Sequence, residues 1–313
     1  MMFRLKHCFL FFIAFASALV LAGVMAYFML APLNHVKTVK PVLETSDTKT
    51  DIDTSQSIYN ELVPHKALYE VDLVSSTGGS RVIDISGKMF FKWEATCDAW
   101  ITDHRFKLIY EYADSPAMHI TSDFSTFEPF DGDSFDFTSR RKRDGDLYEE
   151  IRGRAEIYED GSGKAIYTKP EDLAYKLEKG TLFPMAHTIE LIKHINEGKK
   201  FYSANVFDGS DEEGPVLINS FIGEKINALA NTAPSSEIDG TLVNTPAYKI
   251  RMAFFPLDSE EASSDYEMSL VFHDNGIISD MMIDYDDFTV SQKLLALEKL
   301  DAAACDNYPA AKN

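Results

Sequence analysis

The sequence is short of cysteine, short of cationic charge and without any glycine loop built for phosphate. Only 3 cysteines occur in 313 residues, which excludes a multi-cysteine zinc module and a disulfide-dense miniature scaffold. Lys and Arg number 30 against 50 Asp and Glu, a formal charge of −20. That deficit excludes polyanion binding through a general basic field, because neutralising phosphates takes surplus cations. Walker loops, dinucleotide glycine fingerprints and serine-centred GxSxG elbows are absent as well. What is present, 45% apolar, 26% charged and 12% aromatic residues, suits a chain of one or two domains that buries a core.

Charge divides unevenly along the chain. Residues 1–40 carry Arg4, Lys6, Lys37 and Lys40 and no acid, leaving a net −24 to residues 41–313. One uncharged apolar run, Cys8–Leu30, spans 23 residues. As a helix rising about 1.5 Å per residue it reaches roughly 34 Å, enough for a bilayer core of about 30 Å. Arg4 and Lys6 ahead of it direct everything after it outward. The run exceeds the core of an ordinary signal peptide, about 7–15 residues, yet small residues at Ala26 and Ala31 suit cleavage. Residues 1–33 therefore read either as a cleaved signal peptide or as an uncleaved membrane anchor, and the sequence leaves both open. Residues 34–61, rich in Thr, Ser, Asp and Lys, read as a flexible linker, and residues 62–313 as the exported folded domain.

In that domain the apolar period is mostly 2. Trp100–Tyr112, His119–Phe127, Ser134–Arg143, Leu147–Tyr158, Phe201–Phe207, Ala247–Phe255 and Ile277–Asp284 are among about a dozen predicted strands. Asp144-Gly145 is a type I′ hairpin signal, and Asp274-Asn275-Gly276 a second tight turn. Pro184–Gly198 breaks the rhythm: proline suits the first turn, Ile189, Ile192 and Ile195 recur at helical spacing, and Gly198 suits the end. Ser291–Ala304 has helical composition and is expected to form a second helix. The expectation is a mainly β fold, a curved or barrel-like antiparallel sheet wrapped around a helix.

Candidate chemistry is sparse. Asp103 and His104 are adjacent on a strand and face opposite sides, so the acid cannot orient the base. His187 and His194 share a helix face without an HExxH carboxylate. Asp208–Gly214 gathers acids but fails the EF-hand pattern and reads as a solvated turn. Arg140–Arg143 reads as the decoration of a hairpin tip. No catalytic, metal or cofactor-binding residues are assigned, and no cofactor is expected. Beyond Cys8, the cysteines are Cys97 and Cys305. An even pair in an oxidising compartment most simply forms one bridge; a redox thiol lacks a CxxC motif, and two free buried thiols fit poorly with export.

Pro64-His65-Lys66-Ala67-Leu68-Tyr69, Thr96-Cys97-Asp98-Ala99-Trp100 with Asp103-His104-Arg105-Phe106, Gly180-Thr181-Leu182-Phe183-Pro184 with His187, and Val206-Phe207-Asp208-Gly209-Ser210-Asp211 carry a resemblance. Together they are similar to the EipB-type cell envelope integrity family of alphaproteobacteria, over roughly Pro64 to the last cysteine. The resemblance implies a periplasmic β-spiral, a half-open barrel with a lipoprotein-carrier-like outline around a helix, in which a disulfide joins Cys97 to Cys305. It also implies a part in maintaining the envelope without a catalytic reaction, and the leading reading is a non-enzymatic protein that supports envelope integrity by binding other envelope proteins. The alternatives are a carrier of lipid or lipoprotein on a concave apolar face, and a hydrolase or metal enzyme using His104, His187 or the Asp208–Glu213 acids.

Overall fold

A computed structural model of the chain describes residues 61–227, 235–257 and 263–301. The apolar run, residues 34–60 of the expected linker and Cys305 lie outside the described residues. Among the described residues no helix is long and apolar enough to cross a membrane.

Period-2 sequence becomes strand wherever one face can be buried. In β3 (Ala99–Tyr112), Phe106, Leu108 and Tyr110 are buried while Arg105, Lys107, Ile109 and Glu111 are exposed. β1 (His65–Ser76), β2 (Val82–Ala95), β3, β4 (Ser115–Pro129), β5 (Ser134–Arg143), β6 (Asp146–Ile157), β7 (Gly163–Lys169) and β8 (Ala174–Leu177) form one antiparallel meander. β9 (Phe201–Val206), β10 (Val216–Ile226), β11 (Ala247–Pro256), β12 (Tyr266–His273), β13 (Ile278–Tyr285) and β14 (Phe288–Lys299) form a second. β1 pairs with β14 and fuses the two into one 14-stranded sheet whose edges are β8 and β9. The Asp144-Gly145 turn has both residues at positive φ, 51° and 94°, as a type I′ hairpin requires.

The two edges do not pair with each other. The link between them carries α1 (Pro184–Asn196), flanked by Gly198 at φ 69°. Just before the helix, Leu182 makes a parallel bridge to Val206: its N–H donates to Asn205 O at 2.9 Å and Phe207 N–H donates to Leu182 O at 2.9 Å. The barrel is thus half-open, bridged at one point. Met185, Ile189, Leu191, Ile192 and Ile195 of α1 join the large core made by strands of both meanders. A smaller aromatic core, with Phe124, Phe135, Phe137, Tyr167, Phe183 and Phe207, lies under β4–β8. A single short turn of helix, α2 (Gly240–Val243), precedes β11.

The second expected helix is corrected. Ser291–Lys299 is part of β14, between β1 and β13, with Leu294 and Leu297 buried. Helix-favouring residues here yield to two rows of strand partners, since propensity is a weak prior against tertiary pairing.

A row of inward residues crosses the sheet in register: Ile222, Ile250, Leu270, Met281, Gln292 and Val71. Gln292 is fully buried in it, and neither end of its amide has a hydrogen-bond partner among the described residues. An unpaired buried amide costs roughly 1–3 kcal/mol. Gln292→Met, which keeps the volume and removes the polar atoms, is therefore expected to raise the melting temperature by a few degrees. A variant no more stable than the parent would show that the amide is satisfied in solution.

Candidate functional site

Two motifs of the sequence resemblance, Gly180–Pro184 and Val206–Asp211, meet at the break in the barrel, whereas Pro64–Tyr69 on β1 and the Thr96–Trp100 turn between β2 and β3 lie away from it in strand order. Thr96 and Ala99 close a turn, Thr96 N–H donating to Ala99 O at 2.8 Å and Ala99 N–H to Thr96 Oγ1 at 3.0 Å. That turn leaves Cys97 exposed at its tip and sends Trp100 inward to stack on Trp93, ring centroids 4.8 Å apart. Trp93 Nε1 reaches Met185 Sδ at 3.1 Å, in the first turn of α1.

The N-terminus of α1 has no side-chain cap of its own, because Phe183 stands at that position and is turned into the aromatic core. Glu128, at the end of β4, supplies one from across the barrel. Its carboxylate accepts Met185 N–H at 2.9 Å and Ala186 N–H at 3.0 Å while only 3% exposed. Open amides and the helix dipole favour a negative charge there. Burial is the stronger influence and pushes the Glu128 carboxyl up to about 7.

Residues 207–214 form a strap over the smaller core. Phe207 is fully buried in it, and Gly209, at φ 63°, lies on the Phe137 ring so closely that a Cβ would come within 2.4 Å of it. Gly214 lies in the same way on Tyr175. Arg141 Nη2 donates to Ser210 O at 2.8 Å while its other nitrogen is ion-paired with Glu149. Tyr167 Oη donates to Asp211 O at 2.7 Å, and Tyr175 Oη to Glu212 O. The expected solvated turn is thus corrected: Ser210 and Asp211 are buried, since the glycines let the backbone press onto aromatic rings. Burial, together with Asp208, holds the Asp211 carboxyl well above its usual range, and burial and Asp265 push Glu213 up to about 7. Arg141 is corrected too. It belongs to the inward row Phe135, Phe137, Ser139, Arg141 and is 5% exposed, not a decoration of the hairpin tip.

The candidate histidines lie against aromatic rings. His104 lies half-buried among Phe91, Phe106 and Phe124, and desolvation lowers its pKa to about 4. Asp103 instead accepts from Ser125 Oγ, on the other face. His187 and His194 do share a helix face, and both rings lie against Tyr202, at 5.5 and 4.3 Å. Burial alone lowers His187 to about 4. Among the described residues, Ser279 Oγ stands 2.9 Å from His273 Nε2 as a hydroxyl beside an imidazole, a pair that is 7% and 0% exposed. His273 Nδ1 meets the Thr245 hydroxyl at 3.2 Å rather than a carboxylate. Among the described residues no three His, Cys, Asp or Glu are grouped to hold a metal. An open groove of about 460 Å³ follows the break, lined by Lys179, Leu182, Glu190, Tyr202, Asn205 and Leu217.

The model of the EipB-like family matches residues 56–301. This chain belongs to that family. It is 28% identical over 242 residues to the cell envelope integrity protein EipB of Brucella abortus (strain 2308), covering 77% of this chain and 85% of that protein. A solved β-barrel-like protein of a domain of unknown function from Brucella abortus superposes with a TM-score of 0.71 at 29% identity, over 77% of this chain and 99% of that one.

Sequence reading missed Glu128, Arg141 and Glu149. The signal for Arg141 is the alternation that places Phe135 and Phe137, since a strand carries its face through a charge cluster unchanged. Glu128 stands between Phe127 and Pro129 at a strand end, an acid in apolar surroundings with no partner nearby in sequence.

Two outcomes follow. A carboxyl whose folded pKa is raised gives stability that is complete below its unfolded pKa and is lost as pH rises through the folded one. The melting temperature of Glu128→Gln relative to the parent should therefore climb between about pH 4.5 and 7 and level off above; a flat difference across that window would mean that Glu128 does not titrate there. Arg141→Ala leaves Glu149 buried without its cation and should destabilise by about 3–5 kcal/mol in denaturant melts, with Arg141→Met/Glu149→Leu recovering most of the loss.

Proposed function

We propose that this protein is an exported, non-enzymatic periplasmic protein that supports cell-envelope integrity by binding other envelope proteins. The observation that carries the reading is family membership, with a relative of that name in Brucella abortus. Three features of the fold support it. α1 fills the concave side that a carrier would keep for cargo. His104 and His187 are desolvated and neutral in packed surroundings. The groove at the break is open and partly charged, suited to a protein surface more than to an acyl chain.

Cys97, exposed on its turn, is proposed to bridge to Cys305 and so fasten the segment after β14 to the β2–β3 hairpin. Cys97→Ser and Cys305→Ser should each lower the non-reducing melting temperature, by the equivalent of about 2–5 kcal/mol; unchanged melting in both would remove the bridge from the account. Cells lacking the protein should become sensitive to envelope stress. His104→Ala, His187→Ala and Ser279→Ala should each restore resistance at wild-type protein levels, and failure of any one of them would reopen the enzymatic reading. Mild isolation followed by native mass spectrometry should show no bound lipid; a stoichiometric lipid would favour the carrier instead.

A further inference from the structure

Phe201 on β9 and Phe221 on β10 stand directly opposite each other in register, each 58% exposed, on the outer face of the sheet. Phe221 is paired on its other side with Arg251 of β11. Two residues further along β10, Gly223 sits in the irregularity of the β10–β11 register, where a Cβ would come within 2.6 Å of Lys249 O. Lys200 Nζ reaches Gly223 O at 3.5 Å, and the Lys249 backbone lies against Gly223 from β11. Lys200 and Lys249 are exposed and have no ion-pair partner among the described residues. Of the nearby acids, Glu197 is paired with Lys199 and Glu267 with Arg251, leaving Glu224. An exposed aromatic pair flanked by two unpaired lysines, against the one nearby acid left unpaired among the described residues, Glu224, is thus presented by a chain of charge −20.

We propose that this face docks onto a bilayer surface carrying anionic lipid. Phe rings enter the boundary between headgroups and acyl chains, while Lys stems lie along it and hold their ammonium groups at the phosphates. At a screening length of about 8 Å the lipid phosphates meet the charge of the patch rather than that of the whole acidic chain. The excess acid elsewhere on the chain disfavours approach by its other, more acidic faces. The length of chain ahead of the domain is compatible with this. The apolar run ends at Leu30 and β1 begins at His65, a link that spans roughly 110 Å when fully extended, so a retained anchor leaves the domain free to lay this face on the membrane it enters.

The experiment uses the full chain in vesicles of phosphatidylethanolamine with phosphatidylglycerol brominated on its acyl chains. Phe201→Trp places an indole in the patch; the native Trp93 and Trp100 are buried and give a constant background. The new fluorescence should be quenched by the brominated lipid and recover in high salt. Lys200→Gln/Lys249→Gln on that background should shift the docked-to-undocked ratio about 25-fold, at roughly fivefold for each basic residue near an anionic surface. Phe221→Ser should weaken quenching with unchanged circular dichroism. Quenching that is equal on phosphatidylcholine vesicles, or indifferent to the lysine changes, overturns the proposal. No quenching on any vesicle overturns it as well and leaves the patch to a protein occupant. None of these results bears on the envelope-stress phenotype, so the two readings fail separately.

Discussion

Neighbouring strands of this sheet follow one another along the chain, except for one pair. β1 and β14 must find each other between residues 65 and 299, and the register from His65↔Lys299 to Ser76↔Phe288 is what makes two separate meanders into one sheet. Long-range pairing of this kind closes a large loop before any contact rewards it. Both strands are therefore doubly partnered and rich in inward apolar residues, with Ala67, Tyr69 and Val71 facing the core from one and Val290, Leu294 and Leu297 from the other. Once they join, the natural twist of so wide a sheet curls it, and the curl needs an interior. α1 supplies that interior. Glu128, by accepting the first amides of α1, fixes the depth at which the helix enters.

That dependence explains what could be read from the residues. Strands whose one face is wet announce themselves, and β3, β5 and β6 show alternation unbroken enough to read their faces directly. The helix at Pro184–Asn196 is equally plain, with proline, periodic isoleucines and a closing glycine at the expected places. β14 is illegible for a physical reason. Gln292, Lys293, Leu294, Ala296 and Leu297 are good helix formers, and their strand state comes from partners on both sides that a local window does not contain. The site fares similarly. Asp208–Gly214 looks hydrophilic in sequence and is half interior in the fold, because its two glycines are invitations to aromatic rings contributed by β5 and β8.

The strap also shows how an acidic sequence can be buried against a guanidinium. Arg141 stands close to three acids, paired directly with Glu149 and bonded to the Ser210 carbonyl between Asp208 and Asp211. Two tyrosine hydroxyls take carbonyls of the same segment. A guanidinium in the middle satisfies planar acceptors and opposes any cation seeking the same carboxylates. The cluster therefore works as a lock that holds the strap, with Phe207 at its base, onto the lobe of β4–β8, and its failure would open that lobe.

Both edges of the sheet lie near this lock, and they are managed differently. β8 is four residues long, and Tyr175 on it is bound under the strap, which leaves little of an edge to pair with another chain. β9 is longer, and only its far end is covered, by the single bridge to Leu182. A free strand edge is a template for further pairing unless something blunts it. Here Lys199 and Lys200 stand at its start and the groove of the break runs along its side. A half-open barrel keeps such an edge at the cost of exposure, whereas closing the sheet by pairing β8 with β9 would remove it. The helix prevents that closure: with α1 seated inside by Glu128, the two edges are held apart by its girth, and the gap is a consequence of how the core is filled rather than of missing strands.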